Sequence, residues 1–210
     1  MNEQIILGTL LGDAWIYKDK RKNYSFRFSQ SIKDYAIWKA DQVNLPYTIY
    51  ERNRFDKRTN KSYYSCEILV KLKKESKVYY HNMFYNPKKE VSQEILNKLD
   101  SLAVTIWYLD DGNIYYNNNN CHITLSINGF SFESKERIIK WFKKKYNLNF
   151  KHSSKAIRIT SKKECQVFMD IVEKHVPECM KYKTLSTALE KYHNSLTQDK
   201  KNKRWKRNRK

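Results

Sequence analysis

Glycine and proline are scarce here: four Gly and three Pro in 210 residues. No Ser/Gly-rich linker separates independent domains, so the elements must follow one another through short polar turns. Cysteine is limited to Cys66, Cys121, Cys165 and Cys179, with neither a CxxC nor a Cys/His spacing suited to zinc. These four read as small core residues in a reducing compartment. The five histidines are scattered, and His193-Asn194 alone supplies no paired-histidine ββα-metal site. No Ser-His-Asp order and no phosphate-cradling Gly-rich loop occurs, which disfavours acyl transfer and nucleotide hydrolysis. No apolar run approaches the length that spans a bilayer, and no helix with a long basic face suggests a membrane surface. The start Met1-Asn2-Glu3-Gln4 lacks the basic region of a secretory signal, so an intracellular protein is expected.

Acidic residues are also in deficit. Against 42 Lys and Arg stand 22 Asp and Glu, a formal net charge of +20, with sixteen Tyr and five Trp interleaved. That excess is too large for solubility alone. Neutralising phosphates along a duplex releases counterions, so nucleic acid is the first partner to expect. Part of the charge lies in the run from Lys200 to Lys210, within a basic tail, 191–210, expected to be disordered when free.

Two stretches carry most of the functional information. They are Ile6-Leu7-Gly8-Thr9-Leu10-Leu11-Gly12-Asp13-Ala14 and Leu102-Ala103-Val104-Thr105-Ile106-Trp107-Tyr108-Leu109-Asp110-Asp111-Gly112. Each is an apolar helical run that ends in an acidic residue followed by Ala or Gly. A carboxylate at the end of a buried helix is costly to desolvate unless it is paired or holds a metal. Two in equivalent places point to one shared site containing Asp13 and Asp111.

Other features repeat in the same order. Lys73-Lys74-Glu75-Ser76-Lys77-Val78-Tyr79 matches Lys162-Lys163-Glu164-Cys165-Gln166-Val167-Phe168, and each follows a β-like run. An alternating segment follows each aspartate, 23–30 in one case and 121–128 in the other, and then a helix with a tryptophan, Trp38 or Trp141. A fixed order occurring twice marks a duplicated unit. The expected fold is α/β (α+β), with two α-β-β-α-β-β-α repeats in pseudo-twofold arrangement. The expected organisation is an N-terminal repeat at 1–88, a linker at 89–100, a C-terminal repeat at 101–190 and then the tail. Alternation leaves Ser25, Arg27, His122, Thr124, Ser126 and Asn128 on an open polar face.

Gly8-Thr9-Leu10-Leu11-Gly12-Asp13-Ala14 and Trp107-Tyr108-Leu109-Asp110-Asp111-Gly112 resemble the two motif copies of the single-chain LAGLIDADG homing endonucleases, with the yeast mitochondrial intron enzyme as the nearest pattern. The resemblance reaches to about Leu189 and includes Asn86-Pro87-Lys88-Lys89 and Met180-Lys181-Tyr182-Lys183. It implies motif helices packed side by side, with saddle-shaped antiparallel sheets lying in the DNA major groove. It implies cleavage of one phosphodiester per strand at a long double-stranded DNA target, with Mg²⁺, or Mn²⁺ as substitute, held at Asp13 and Asp111. Gly12 and Asp110 are neighbouring metal-site candidates, and Asp110 also reads as a supporting group. Lys89 and Lys183 match lysines near the scissile phosphates, with Lys88 and Lys181 as alternatives by register. Arg52, Arg54, Arg58, Lys61 and Arg158 join the open-face residues as DNA contacts. Ile106 and Asp110 stand where Gly8 and Gly12 stand in the first motif, so an offset or wider helix contact is expected there. The resemblance further implies a monomer that promotes intron or mobile-element spread, with its own intron RNA as a second partner. Its compartment would be an organelle matrix or stroma, or the cytoplasm of a bacterial or phage-infected cell. An RNA-binding intron maturase and a non-cleaving DNA-binding regulator are the alternatives on the same fold.

Overall fold

The computed structural model describes residues 1–85, 88–117 and 120–207, with side chains of the last helix through Ser195 and at Thr197. Asn86 and Pro87, in the expected connection, lie outside the described residues. The first repeat runs α1 (Glu3–Leu11), β1 (Ala14–Lys18), β2 (Tyr24–Gln30), α2 (Lys33–Val43), β3 (Tyr47–Asp56), β4 (Lys61–Val70) and α3 (Lys74–Phe84). After α4 (Gln93–Lys98), the second runs α5 (Ser101–Asp111), β5 (Gly112–Asn117), β6 (Asn120–Ser126), α6 (Phe132–Tyr146), β7 (Lys151–Ser153), β8 (Ala156–Ile159) and α7 (Lys162–Val172). Two short 3-10 turns lead to α8 (Leu185–Arg207).

The two sheets share one topology, β1-β2-β4-β3 and β5-β6-β8-β7, antiparallel throughout. Strand side chains alternate between faces. Phe26, Phe28, Cys66, Ile68 and Val70 fill the inner face of the first sheet, and Cys121, Ile123, Leu125, Ile157 and Ile159 that of the second. Helices α2, α3 and α7 cover these inner faces. Among the described residues the opposite faces carry no helix layer and remain open. The β3/β4 hairpin has ten residues in each strand, whereas β7 and β8 have three and four. At roughly 3.4 Å per residue the first hairpin is about three times as long.

Helices α1 and α5 are buried along their lengths and pack on each other between the sheets. A Cβ added at Gly8 would lie 2.5 Å from the Ala103 carbonyl oxygen and 2.7 Å from Ile106 Cβ; one at Gly12 would lie 2.5 Å from Asp110 Cβ. The expected wider contact is therefore corrected. Each glycine of the first motif hollows out room for the side chain that replaces glycine in the second. Gly112 is a third close approach, with the Tyr108 ring 2.1 Å from where its Cβ would be. Left-handed backbone falls elsewhere: Asn44 and Asn147, both at φ 56°, end α2 and α6, and no glycine has positive φ. Asparagine serves these caps because its short polar side chain tolerates that region. Three of the four glycines, Gly8, Gly12 and Gly112, serve close contact. Gly8→Ala is expected to lower stability by about 1–3 kcal/mol despite alanine's better helix propensity. Gly129→Ala, with nothing within 4 Å of its Cβ position, is the matched neutral control in urea unfolding.

Two segments depart from the expected organisation. Within 89–100, Val91, Ile95, Leu96 and Leu99 are buried, and Ser92 caps the short helix by accepting from the Ile95 N–H at 3.2 Å. The connection is thus a packed element, because its apolar residues recur at helical spacing. At the C-terminus the backbone is helical through Arg207, where disorder is expected. Leu185 and Ala188 are buried, and Tyr192 meets Tyr116 edge-on at 5.4 Å. Once these first turns are anchored, each further residue extends the helix without a new nucleation cost. Among the described residues no helix is long and apolar enough to cross a membrane.

Candidate active site and nucleic-acid interface

The C-terminal ends of α1 and α5 bring Asp13 and Asp111 together where the two open sheet faces meet. Both carboxyls have pKa values above the ordinary aspartate range. Burial is the first cause for each; after it come the Asp110 charge for Asp13, and the charges of Asp13 and Asp110 for Asp111. Asp111 is pushed up to about 7. Beside it lies a cleft of about 160 Å³ lined by Gly12, Lys89, Asp111, Ser126, Asn128 and Phe130.

Lys89 and Lys183 point into this centre. Lys89 Nζ donates to the Gly12 carbonyl at 3.4 Å and sits 5.6 Å from the Phe130 ring centroid. Lys183 Nζ donates to the Leu109 carbonyl at 2.6 Å, while Tyr108 Oη donates to the Lys183 carbonyl at 2.6 Å. Lys183 is therefore fastened to the end of α5 through both side chain and backbone. Burial lowers both lysine pKa values, opposed by the three aspartates; Asp111 is the foremost charge on Lys89 and Asp110 on Lys183. Lys88 and Lys181 are exposed, and Lys181 pairs with Glu178. The register alternatives thus separate by geometry.

Asp110 is corrected from a candidate metal ligand to a structural anion. Its side chain is 0% exposed and faces the equally enclosed Lys39 at 2.8 Å. Oδ1 accepts from Lys39 Nζ, from Tyr35 Oη at 2.9 Å and from Gln30 Nε2 at 3.0 Å; Oδ2 accepts from Lys39 Nζ at 2.9 Å and from the Asp13 N–H at 3.3 Å. With both oxygens so occupied, it has no lone pair turned toward the cleft. Gln30 Nε2 also donates to Asp13 Oδ2 at 2.9 Å, bridging the two aspartates. The proximity of Asp110 also drives the Tyr35 phenol pKa upward, second only to burial. Gln30, Tyr35 and Lys39 are functional neighbours that the motifs do not reveal.

The remaining candidates distribute over the open faces. Strand register places Arg27, Arg52, Arg54 and Lys61 on the open side of the first sheet, with Trp15, Tyr17, Tyr50 and Tyr63 among them. Arg27 is engaged by Glu67 at 2.6 Å, and Arg58, at the hairpin end, by Asp56 at 3.1 Å. Ser25 shares that side, but its Oγ is buried and has no hydrogen-bond partner among the described residues. On the second sheet, His122, Thr124 and Ser126 share the open side with Arg158, which pairs with Thr124. Asn128 is corrected from the strand face to the cleft rim. Strand β6 ends at Ser126; one further bond runs from the Ile127 N–H to the Lys155 carbonyl at 3.1 Å, and the Phe130 N–H then closes a turn onto the Ile127 carbonyl at 3.2 Å.

Comparisons with known proteins bear on this arrangement. The model of the LAGLIDADG DNA endonuclease family matches residues 3–169. The chain belongs to that family. A probable intron-encoded endonuclease of Wickerhamomyces canadensis is 29% identical over 197 residues, covering 88% of this chain and 84% of that protein. Among solved structures, the homing endonuclease I-WcaI bound to its DNA recognition sequence superposes with a TM-score of 0.73 at 25% identity, covering 87% of this chain and 85% of that one. The LAGLIDADG meganuclease I-AabMI bound to uncleaved DNA, at 9% identity and a TM-score of 0.55, shares the fold across 94% of this chain and 92% of its own. In this LAGLIDADG chain the open sheet faces carry Arg52, Arg54, Lys61 and Arg158, and the aspartate pair lies between them.

Proposed function

We propose that this LAGLIDADG endonuclease acts as a monomer that cuts one phosphodiester in each strand of a long, asymmetric double-stranded DNA target, promoting the spread of its own intron or mobile element. The observation that carries this reading is the convergence of Asp13 and Asp111, flanked by Lys89 and Lys183, between two open, cation-bearing sheet faces. The donor chemistry fits Mg²⁺. Two partly desolvated carboxylates repel one another more than the nearby lysines offset, and the Gly12 carbonyl adds a further hard oxygen nearby. Among the described residues no cluster of three or more Asp, Glu, His or Cys could enclose an ion. Mg²⁺ suits such an incomplete set, since it takes one or two carboxylates and completes its shell with phosphate oxygens and water. Once bound, it would lower the pKa of the attacking water and neutralise charge on the phosphate. Lys89 and Lys183 supply fixed positive charge toward a phosphodiester seated over the aspartates, where negative charge grows during hydrolysis. Arg52, Arg54, Lys61 and Arg158 hold the duplex across the two sheets.

Cleavage of a plasmid library of randomised long sites, with Mg²⁺ and with EDTA, tests this reading. Double-strand breaks at one selected sequence, lost in EDTA, support it; binding to DNA or to intron RNA without a break overturns it. The rate should also rise with pH through about 7, because a proton on Asp111 competes with the cation for the same oxygens. Raising Mg²⁺ should move that midpoint to lower pH. An unchanged midpoint across a hundredfold range of Mg²⁺ would separate Asp111 from metal binding.

A further inference from the structure

The two halves of the active site are built from unlike materials. Register equates Ala14, paired with Phe28, and Gly112, paired with Leu125; Gln30 then corresponds to Ile127 in the second repeat. The helices α2 and α6 end at Asn44 and Asn147, which equates Tyr35 with Ile138 and Lys39 with Phe142. Gly12 stands opposite Asp110 in the same correspondence. Every polar member of the network around Asp13 therefore has an apolar or glycine counterpart around Asp111, and Ile127, Ile138 and Phe142 are all buried.

Among the described residues the hydrogen bonds of this network reach one aspartate only, although the Asp110 charge is felt by both. Asp110 receives the Asp13 backbone N–H, and Gln30 joins the Asp110 and Asp13 carboxylates. Lys39 and Tyr35 hold Asp110 itself, and Lys39 Nζ is further enclosed by the Phe28 and Tyr35 rings, 4.5 and 4.9 Å from their centroids. Asp111 instead borders the open cleft, with Lys89 as its foremost cation.

We propose that the buried pair of Lys39 and Asp110, steadied by Tyr35, is a positioning device for Asp13 alone, so that the two strand cuts depend on separate supports. Lys39, Asp110 and Tyr35 touch neither substrate nor metal in this arrangement. They act by fixing where the Asp13 oxygens lie, and misplacement of a reacting group by about 1 Å costs about a hundredfold in rate. The inference rests on the cleavage reading above.

The test uses the full chain and a duplex selected by the wild-type protein from the randomised library, each strand carrying its own dye, under single-turnover conditions with Mg²⁺. Lys39→Met/Asp110→Asn removes both buried charges without stranding either, and Tyr35→Phe withdraws one hydrogen bond. The double variant should slow one strand at least about tenfold and leave the other within about twofold, so nicked duplex accumulates. Tyr35→Phe should slow the same strand by a smaller factor, and it carries the test by itself if the double variant does not fold. Equal slowing of both strands, or of neither, overturns the inference, since general destabilisation has no means of choosing a strand. A wild-type protein that cleaves no duplex overturns the cleavage reading and this inference together; a cleaving wild type with an unchanged strand ratio overturns this inference alone.

Discussion

Asp13→Asn and Asp111→Asn are each expected to reduce cleavage by about a hundred- to a thousandfold while making the metal-free protein more stable. The two effects share a cause. Burial and the charges of Asp13 and Asp110 hold the Asp111 pKa at about 7 in the folded chain, against 3.8 for an ordinary aspartate. A folded pKa above the unfolded one means that the native state keeps a proton the unfolded chain has released. Stability is then favoured below about pH 4 and falls as pH rises toward 7. An amide does not ionise, so Asp111→Asn removes that penalty, worth on the order of 1–2 kcal/mol after allowance for the group's partial exposure to solvent. Mg²⁺ should raise the Tm of the wild type by binding the native state, and should raise that of either variant far less. Thermal unfolding at pH 5 and pH 8, with and without Mg²⁺, checks each part. A variant that is both inactive and less stable at pH 8 would mean that the carboxylate is a structural anion like Asp110.

Lys39→Met should be among the most destabilising single changes in the chain, at about 3–5 kcal/mol. The reason is what remains behind: Asp110, with 0% side-chain exposure, would keep a charge facing no cation. Removing both members as Lys39→Met/Asp110→Asn should restore most of the loss, because neutral groups of similar shape need no counter-charge. Urea unfolding of the two single variants and the double closes the cycle. Additive losses would mean that the pair is not coupled.

Much of this architecture is legible in the amino-acid order because it rests on short-range periodicities. Alternation from Cys121 to Ser126 marks a half-buried strand, and Tyr24–Gln30 does the same. Ile138, Trp141 and Phe142 mark the buried stripe of α6. Asp13 and Asp111 are legible because a carboxylate closing an apolar helix contradicts its surroundings. The supporting network is harder to read, since its members come from β2, α2 and α5. One local sign was present: Lys39 falls among Tyr35, Ala36, Ala40 and Val43 on the buried side of α2, and Asp110 takes a glycine's place in the second motif. Two opposite charges in two apolar positions predict each other, but only after the topology brings their helices together. Asn128 shows the opposite error. Its alternation continues past Ser126, yet the backbone turns at Ile127, and a side-chain pattern carries no record of where hydrogen bonding stops.

The unlike helix contact also limits what the two halves can become. Two copies of the first repeat would set glycine against glycine and leave a void where Ile106 and Asp110 now fit. Two copies of the second would press Asp110 toward its own image, with Phe142 in place of the lysine that neutralises it. Each half has become the mould of the other. A gene split at the connection would thus yield fragments that recombine only as unlike partners, and the recognition site, freed from any demand for a palindrome, can differ on its two sides base by base.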